Sequence, residues 1–202
     1  MTRMRFLLIL MLVAASSAAA AQADFSADIV SPKATNTFHT KIFVTKNKLR
    51  FQQENNGHTA SIMLVDLAAL TSVVLIPQQH MYIKALKPQI PGQGVAFFQP
   101  ENVADACAAW EKMGELKGKC RNFGKEKVNG RDTVKYENVD ADKIASYIWI
   151  DIKLHFPIKW EGQVGARELR NIVESSQPAE LFAIPAGYTK RSFNASANEP
   201  QP

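Results

Sequence analysis

The feature that most constrains this sequence is a series of strand-like segments that are apolar on both faces. Ala60–Val65 and Ser72–Ile76 are almost entirely apolar, and Tyr147–Ile150 alternates aromatic residues with isoleucines. Such segments are typical of strands that are covered on both sides of a sheet. About ten strands are predicted, from the one that begins at Phe25 to Ala166–Val173.

Only one segment has the periodicity of a substantial helix, Asn102–Lys117. Asn102 can cap its start and Gly118 can end it. A single helical turn is also predicted at Pro178–Phe182. The helix has one apolar face, formed by Val103, Ala106, Cys107, Trp110 and Met113.

Many strands and one helix predict an α+β, mainly β fold. We expect a single large curved antiparallel sheet, an open half-barrel, wrapped around one main helix. A sheet that is apolar on both faces and has little helix to cover it must close into a barrel, enclose the helix tightly or leave an apolar cavity. The third arrangement would permit ligand binding.

Residues 1–23 are predicted to be a cleaved signal peptide. Arg3 and Arg5 precede an apolar run, and Ala21-Gln22-Ala23 forms a small-x-small cleavage site. The strongly apolar part is shorter than the roughly 20 residues of a spanning helix. We therefore expect an exported, periplasmic protein with no stable membrane span after cleavage. One domain over residues 24–193 and a disordered tail over residues 194–202 are predicted.

The two cysteines, Cys107 and Cys120, are thirteen positions apart. In an exported chain such a pair favours a structural disulfide, worth about 3 kcal/mol in the chain-entropy model. A redox pair is the alternative, but active dithiols usually have Cys-x-x-Cys spacing. The disulfide is the preferred interpretation.

The sequence indicates no catalytic or metal chemistry. It contains no phosphate loop, no nucleophile elbow and no dinucleotide-binding glycine motif. Four histidines are widely separated and never at metal-ligand spacing: His39, His58, His80 and His155. No block of basic residues suggests nucleic-acid binding, and part of the formal net charge of +5 would leave with the signal peptide. We expect no cofactor, no metal and no nucleic-acid partner, and nothing in the sequence argues for an enzyme. An enzyme whose site forms only in space, from two or more histidines and a carboxylate, stays a third alternative.

Five segments together resemble a known superfamily: Lys41–Phe51, Ser61–Asp66, Trp149–Asp151, Phe156–Glu161 and Leu181–Tyr188. Their order is similar to that of the LolA/LolB-like outer-membrane lipoprotein-sorting group, and closest to the small exported proteins called DUF4412. The ending Phe-x-Ile-Pro-x-Gly-Tyr is the most distinctive part. The resemblance implies an open half-barrel, capped by helices, with a hydrophobic cavity that in the sorting chaperones holds lipoprotein acyl chains.

The predicted function is a binding protein that shelters a hydrophobic ligand, such as an acyl chain, a lipid or a lipoprotein tail, in a half-barrel cavity. Phe97 and Phe98, in the Pro- and Gly-rich segment Lys87–Pro100, are candidates for a lid. Ordinary core packing is the alternative for each candidate. The candidate lining residues are Phe38, Ile42, Phe51, Met63, Trp149 and Trp160.

A second function remains open at this point. The curved sheet could present a surface to an envelope protein, as an interaction or sensor domain without a small-molecule ligand. That function predicts a solid interior and an exposed apolar patch.

Overall fold

The computed structural model describes residues 23–31, 39–85, 98–112, 118–163 and 165–191, in which twelve strands form one sheet. The strands are β1 (Phe25–Val30), β2 (His39–Val44), β3 (Lys48–Asn55), β4 (His58–Asp66), β5 (Thr71–Ile76), β6 (Met81–Ala85), β7 (Gly118–Val128), β8 (Arg131–Asp140), β9 (Ala145–Asp151), β10 (Phe156–Gly162), β11 (Gly165–Glu174) and β12 (Thr189–Arg191).

The sheet consists of two antiparallel meanders. β1 to β6 form the first and β7 to β11 form the second, and antiparallel pairing of β1 with β11 joins them. β12 adds to β6 as a short parallel strand, so β12 and β7 are the two edges of an open sheet. The predicted fold class, one large open sheet with a single helix, is confirmed.

Two predicted turn features are confirmed. Asn129 and Gly130 connect β7 to β8 with φ values of 51° and 80°, a left-handed conformation that the Asn-Gly pair tolerates. The turn predicted near the end of the chain is the 3-10 segment Ala179–Phe182.

The helix α1 (Ala106–Lys112) is shorter than predicted. A 3-10 segment, Val103–Asp105, replaces its first turn, and residues 113–117 lie outside the described residues. Asn102 caps the start as predicted, because its side chain accepts a hydrogen bond of 2.9 Å from the Ala104 N–H. The predicted signal-peptide residues 1–22 and the tail 194–202 also lie outside the described residues.

The strand count of about ten was low. β12 was not predicted, because its three residues Thr-Lys-Arg are polar and too few to show alternation.

The sheet has two apolar faces, and different parts of the chain cover them. We call the face that packs against α1 the inner face, and the opposite one the outer face. The main core joins inner-face residues of β1–β4 to Phe98, Val103, Ala106 and Trp110 of the helical segment. A second, smaller core lies on the outer face of β4–β6, around Ile62, Leu64 and Leu75.

The C-terminal strap, residues 175–188, covers this second core. Ile184 and Tyr188 pack against it, and the Tyr188 ring contacts the His80 ring edge-on at 5.6 Å. Arg50 Nη1 donates a hydrogen bond of 2.9 Å to the Leu181 carbonyl, and burial lowers the pKa of Arg50. The distinctive Leu181–Tyr188 motif therefore has a structural role, since it shields one apolar part of the outer face.

An ionic cluster ties the ends of three strands together. Arg131 on β8 bonds to Asp151 on β9 and to Glu174 on β11, the latter at 2.9 Å. Lys153 lies 2.5 Å from the other Glu174 oxygen. These hydrogen bonds, first from Lys153 and then from Arg131, lower the pKa of Glu174.

We predict that Glu174→Gln reduces the pH dependence of stability. A depressed carboxyl pKa stabilises the folded state above the pKa of the unfolded chain, and this contribution is lost as the pH falls through the folded-state pKa. At pH 7 the variant should be less stable by about 1 kcal/mol, and the difference should shrink below roughly pH 4. Urea denaturation across this range measures it.

Glu180→Gln is the matched control, because Glu180 is exposed and has no ion pair within the described residues. Equal pH dependence of Glu174→Gln and the wild type would contradict the role of the cluster.

Candidate functional site

The first six strands direct their charged side chains to the outer face. Strand alternation and cross-strand pairing place seven charged residues there: Asp28, Lys41, Lys48, Arg50, Glu54, Asp66 and Lys84. The inner face of the same described strands carries apolar side chains and neutral polar ones, among them Thr40, Gln53, Ser61 and Ser72. This half of the inner face is therefore uncharged.

A continuous row of apolar side chains crosses the inner face of these strands. We call it the apolar row; it consists of Ala27, Ile42, Phe51, Met63, Val74 and Ile83, each paired with the next across adjacent strands. Its burial decreases towards β6. Ala27, Ile42 and Phe51 are buried, whereas Met63, Val74 and Ile83 are half-buried. Neighbouring strands lie about 4.8 Å apart, so the half-buried part spans about 10 Å.

The helical segment is anchored over the other half of the inner face. The buried Tyr136 hydroxyl on β8 donates a 2.6 Å hydrogen bond to the Val103 carbonyl. It accepts hydrogen bonds from the Ala106 N–H at 3.4 Å and from Asn122 Nδ2 at 3.2 Å. Burial raises the pKa of Tyr136, so the hydroxyl stays protonated and able to donate.

Three further contacts fix the helix and the residues that precede it. The predicted disulfide is present between Cys107 on α1 and Cys120 on β7. Trp110 stacks on Phe98 with ring centroids 6.0 Å apart, and Gln99 Nε2 donates to the Thr45 carbonyl at 3.1 Å. Phe98 therefore packs in the core beneath the helix. This position corresponds to core packing, the alternative to a lid.

A groove of about 410 Å³ lies between the helical segment and the turns that follow β2 and β4. Its volume lies within the range of small-molecule sites. Leu67, Phe98 and Ala109 form an apolar part, and Lys46 and Asp105 contribute charged groups. The groove thus combines an apolar surface with polar groups at one end of the inner face.

The structure brings four of the predicted lining residues to one face. Ile42, Phe51 and Met63 belong to the apolar row, and Trp160 pairs with Ile148 on the same inner face. Phe38 and Phe97 lie outside the described residues. Sequence reasoning did not single out Val74 and Ile83, because strands that are apolar on both faces do not reveal which residues point inward.

Trp149 lies on the outer face, opposite Trp160. It pairs with Lys159, whereas Trp160 pairs with Ile148, and successive strand residues point to opposite faces. The ammonium groups of Lys135 and Lys159 lie 4.7 Å and 4.2 Å from its ring centroid, and its Nε1 donates to Glu126 Oε2 at 2.9 Å. The aliphatic stems and charges of the lysines thus help to cover the Trp149 ring, which is buried.

The described ranges contain no group of three or more His, Cys, Asp or Glu side chains that could hold a metal ion. Within the same ranges, no helix is both long and apolar enough to cross a membrane.

No family model and no curated protein matches the sequence. The solved structures that match include an uncharacterized conserved protein from Thermus thermophilus, with a TM-score of 0.52 and 8% identity over 85% of this chain and 91% of that one. PNGF-II matches with a TM-score of 0.51 and 9% identity over 86% of this chain but only 31% of its own. Both likenesses show a shared fold.

A putative outer membrane lipoprotein-sorting protein domain from Vibrio parahaemolyticus matches with a TM-score of 0.33 and 12% identity over 79% of this chain and 87% of that one. The fold comparison rests on the first two structures, and the DUF4412 assignment stays a prediction.

We predict that Tyr136→Phe loosens the helical segment. The substitution leaves the Val103 carbonyl and the Ala106 N–H without their hydroxyl partner, and an unsatisfied buried polar group costs about 1–3 kcal/mol. Chemical denaturation should show a loss of this size. Hydrogen exchange at residues 103–112 should become faster than elsewhere in the core.

Tyr82→Phe is the control, because the Tyr82 hydroxyl has no hydrogen bond to the described residues. If both variants were equally stable, the Tyr136 hydroxyl would not anchor the helix.

Proposed function

We propose that this protein is an exported, periplasmic binding protein that holds a hydrophobic ligand against the inner face of its half-barrel. The ligand is an acyl chain, a lipid or a lipoprotein tail. The observation that carries the proposal is the uncharged inner face of β1–β6, with its apolar row. Across these six strands the charged side chains lie on the outer face. The inner face is therefore suited to a ligand that carries no charges along its length.

The energetics of the apolar row support a chain-like ligand. Each methylene that is removed from water gains about 0.8 kcal/mol, so a chain of several methylenes along the half-buried residues gains useful affinity without a polar motif. Met63, Val74 and Ile83 supply this half-buried surface. The groove beside α1 supplies further apolar surface at Leu67 and Ala109.

The competing function is an interaction with an envelope protein. Phe123, which is 47% exposed on β7, and Val173, which is 56% exposed on β11, are large exposed apolar side chains that such a partner could contact. They lie on different strands from the apolar row, so variants can distinguish the two functions.

We predict that Val74→Thr weakens binding of the neutral amphiphile dodecanol, measured by calorimetric titration. The hydroxyl that replaces a methyl group would lie against the ligand chain without a partner, which weakens affinity by on the order of tenfold. Val73→Thr makes the same substitution on the outer face of the same strand and should change the affinity less than about twofold.

Equal dodecanol affinities for the two variants would mean that the ligand does not bind on the apolar row. A wild-type protein that binds no dodecanol, and from which no lipid can be extracted after purification, would favour the protein-interaction function instead.

A further inference from the structure

The short edge strand β12 places a cation at the end of the apolar row. Arg191 pairs with Ile83 in the parallel ladder between β6 and β12, so the two side chains lie on the same face. Ile83 is the last member of the apolar row, and its side chain is on the inner face. The row therefore continues from a half-buried isoleucine to an exposed guanidinium.

The Arg191 side chain lies along the inner face. Its Nε is 3.1 Å from Met81 Sδ, and Met81 shares the face of Ile83 because the two are separated by one residue on β6. No acidic side chain of the described residues lies within ion-pair distance of Arg191. The guanidinium is therefore available to an anion from outside the described part of the protein.

The position of Arg191 contrasts with that of its neighbour. Lys190 pairs with Tyr82, which is on the outer face with the other cations of β1–β6. Among the described residues of β1–β6 and β12, Arg191 is the one cation on the inner face. An uncharged surface that ends at one exposed cation has the polarity of an amphiphile with an anionic head.

We propose that the ligand is an anionic amphiphile, with its acyl chain on the apolar row and its carboxylate or phosphate head on Arg191. The inference rests on the proposed hydrophobic-ligand function and specifies the class of ligand. A guanidinium can bond two oxygens of a carboxylate or a phosphate at once. Because Arg191 is exposed at the sheet edge, the head stays in contact with water while the chain is buried.

The test compares three ligands with the same alkyl chain: dodecanoate, dodecyl phosphate and neutral dodecanol. At a pH at which both anionic heads are ionised, the wild type should bind at least one anion about fivefold more tightly than dodecanol. A preference for dodecanoate would indicate a fatty acid, and one for dodecyl phosphate would indicate a phospholipid-type head. The preference should decrease as salt is added.

The variants separate Arg191 from general charge effects. Arg191→Gln should reduce the anion affinity to near that of dodecanol and should change dodecanol binding much less. Lys190→Gln, which removes the same charge from the outer face of the same strand, should keep the preference. Arg191→Lys should restore part of it.

The two proposals fail in different ways. Absence of binding for all three ligands would overturn the proposed function and this inference together. Dodecanol binding without a preference for either anion, or equal effects of Arg191→Gln and Lys190→Gln, would overturn this inference alone.

Discussion

The burial of two apolar faces by a chain with one short helix is the constraint on which the rest of this structure depends. A hydrophobic sheet must be covered wherever it would otherwise contact water. The chain covers it in three ways: α1 on the inner face, the C-terminal strap on the outer face of β4–β6, and lysine stems over Trp149 on the outer face of β8–β10. The inner face of β4–β6 keeps a half-buried apolar surface at Met63, Val74 and Ile83.

The separation of charge across the first meander gives this surface its chemical character. Charged side chains on the inner face would have to lose their hydration when a ligand covered them, at a cost of several kcal/mol each. Keeping them on the outer face avoids this cost beneath a ligand. Arg50 is partly buried on the outer face by the strap, which lowers its pKa, and the Leu181 carbonyl of the strap offsets part of this loss of hydration by accepting a hydrogen bond. Arg191 avoids it differently, since it lies at the sheet edge, where water still reaches it.

The alternation of apolar residues was enough to predict the sheet, and helical periodicity was enough to predict the helix. The residue type of Asn102 predicted the helix cap, and the spacing of Cys107 and Cys120 predicted their disulfide. Alternation fixes which residues of one strand share a face, but the relative faces of two strands depend on their pairing and on bulges. For this reason Trp149 and Trp160 were grouped together although they lie on opposite faces. Arg191 was missed because its strand exists only through pairing with β6.

The pairing of β1 with β11 has a consequence for how the molecule is assembled. Both meanders consist of local hairpins, which can form as soon as their residues are available. The junction between them joins Phe25 to Glu174, so the first strand waits for a partner from near the other end of the chain. A chain that emerges with its amino terminus first would hold β1 and its neighbours as an unfinished sheet until residues near Glu174 had also emerged. Such a sheet exposes an unpaired edge during this interval, which is the stage at which chaperones would be most useful to it.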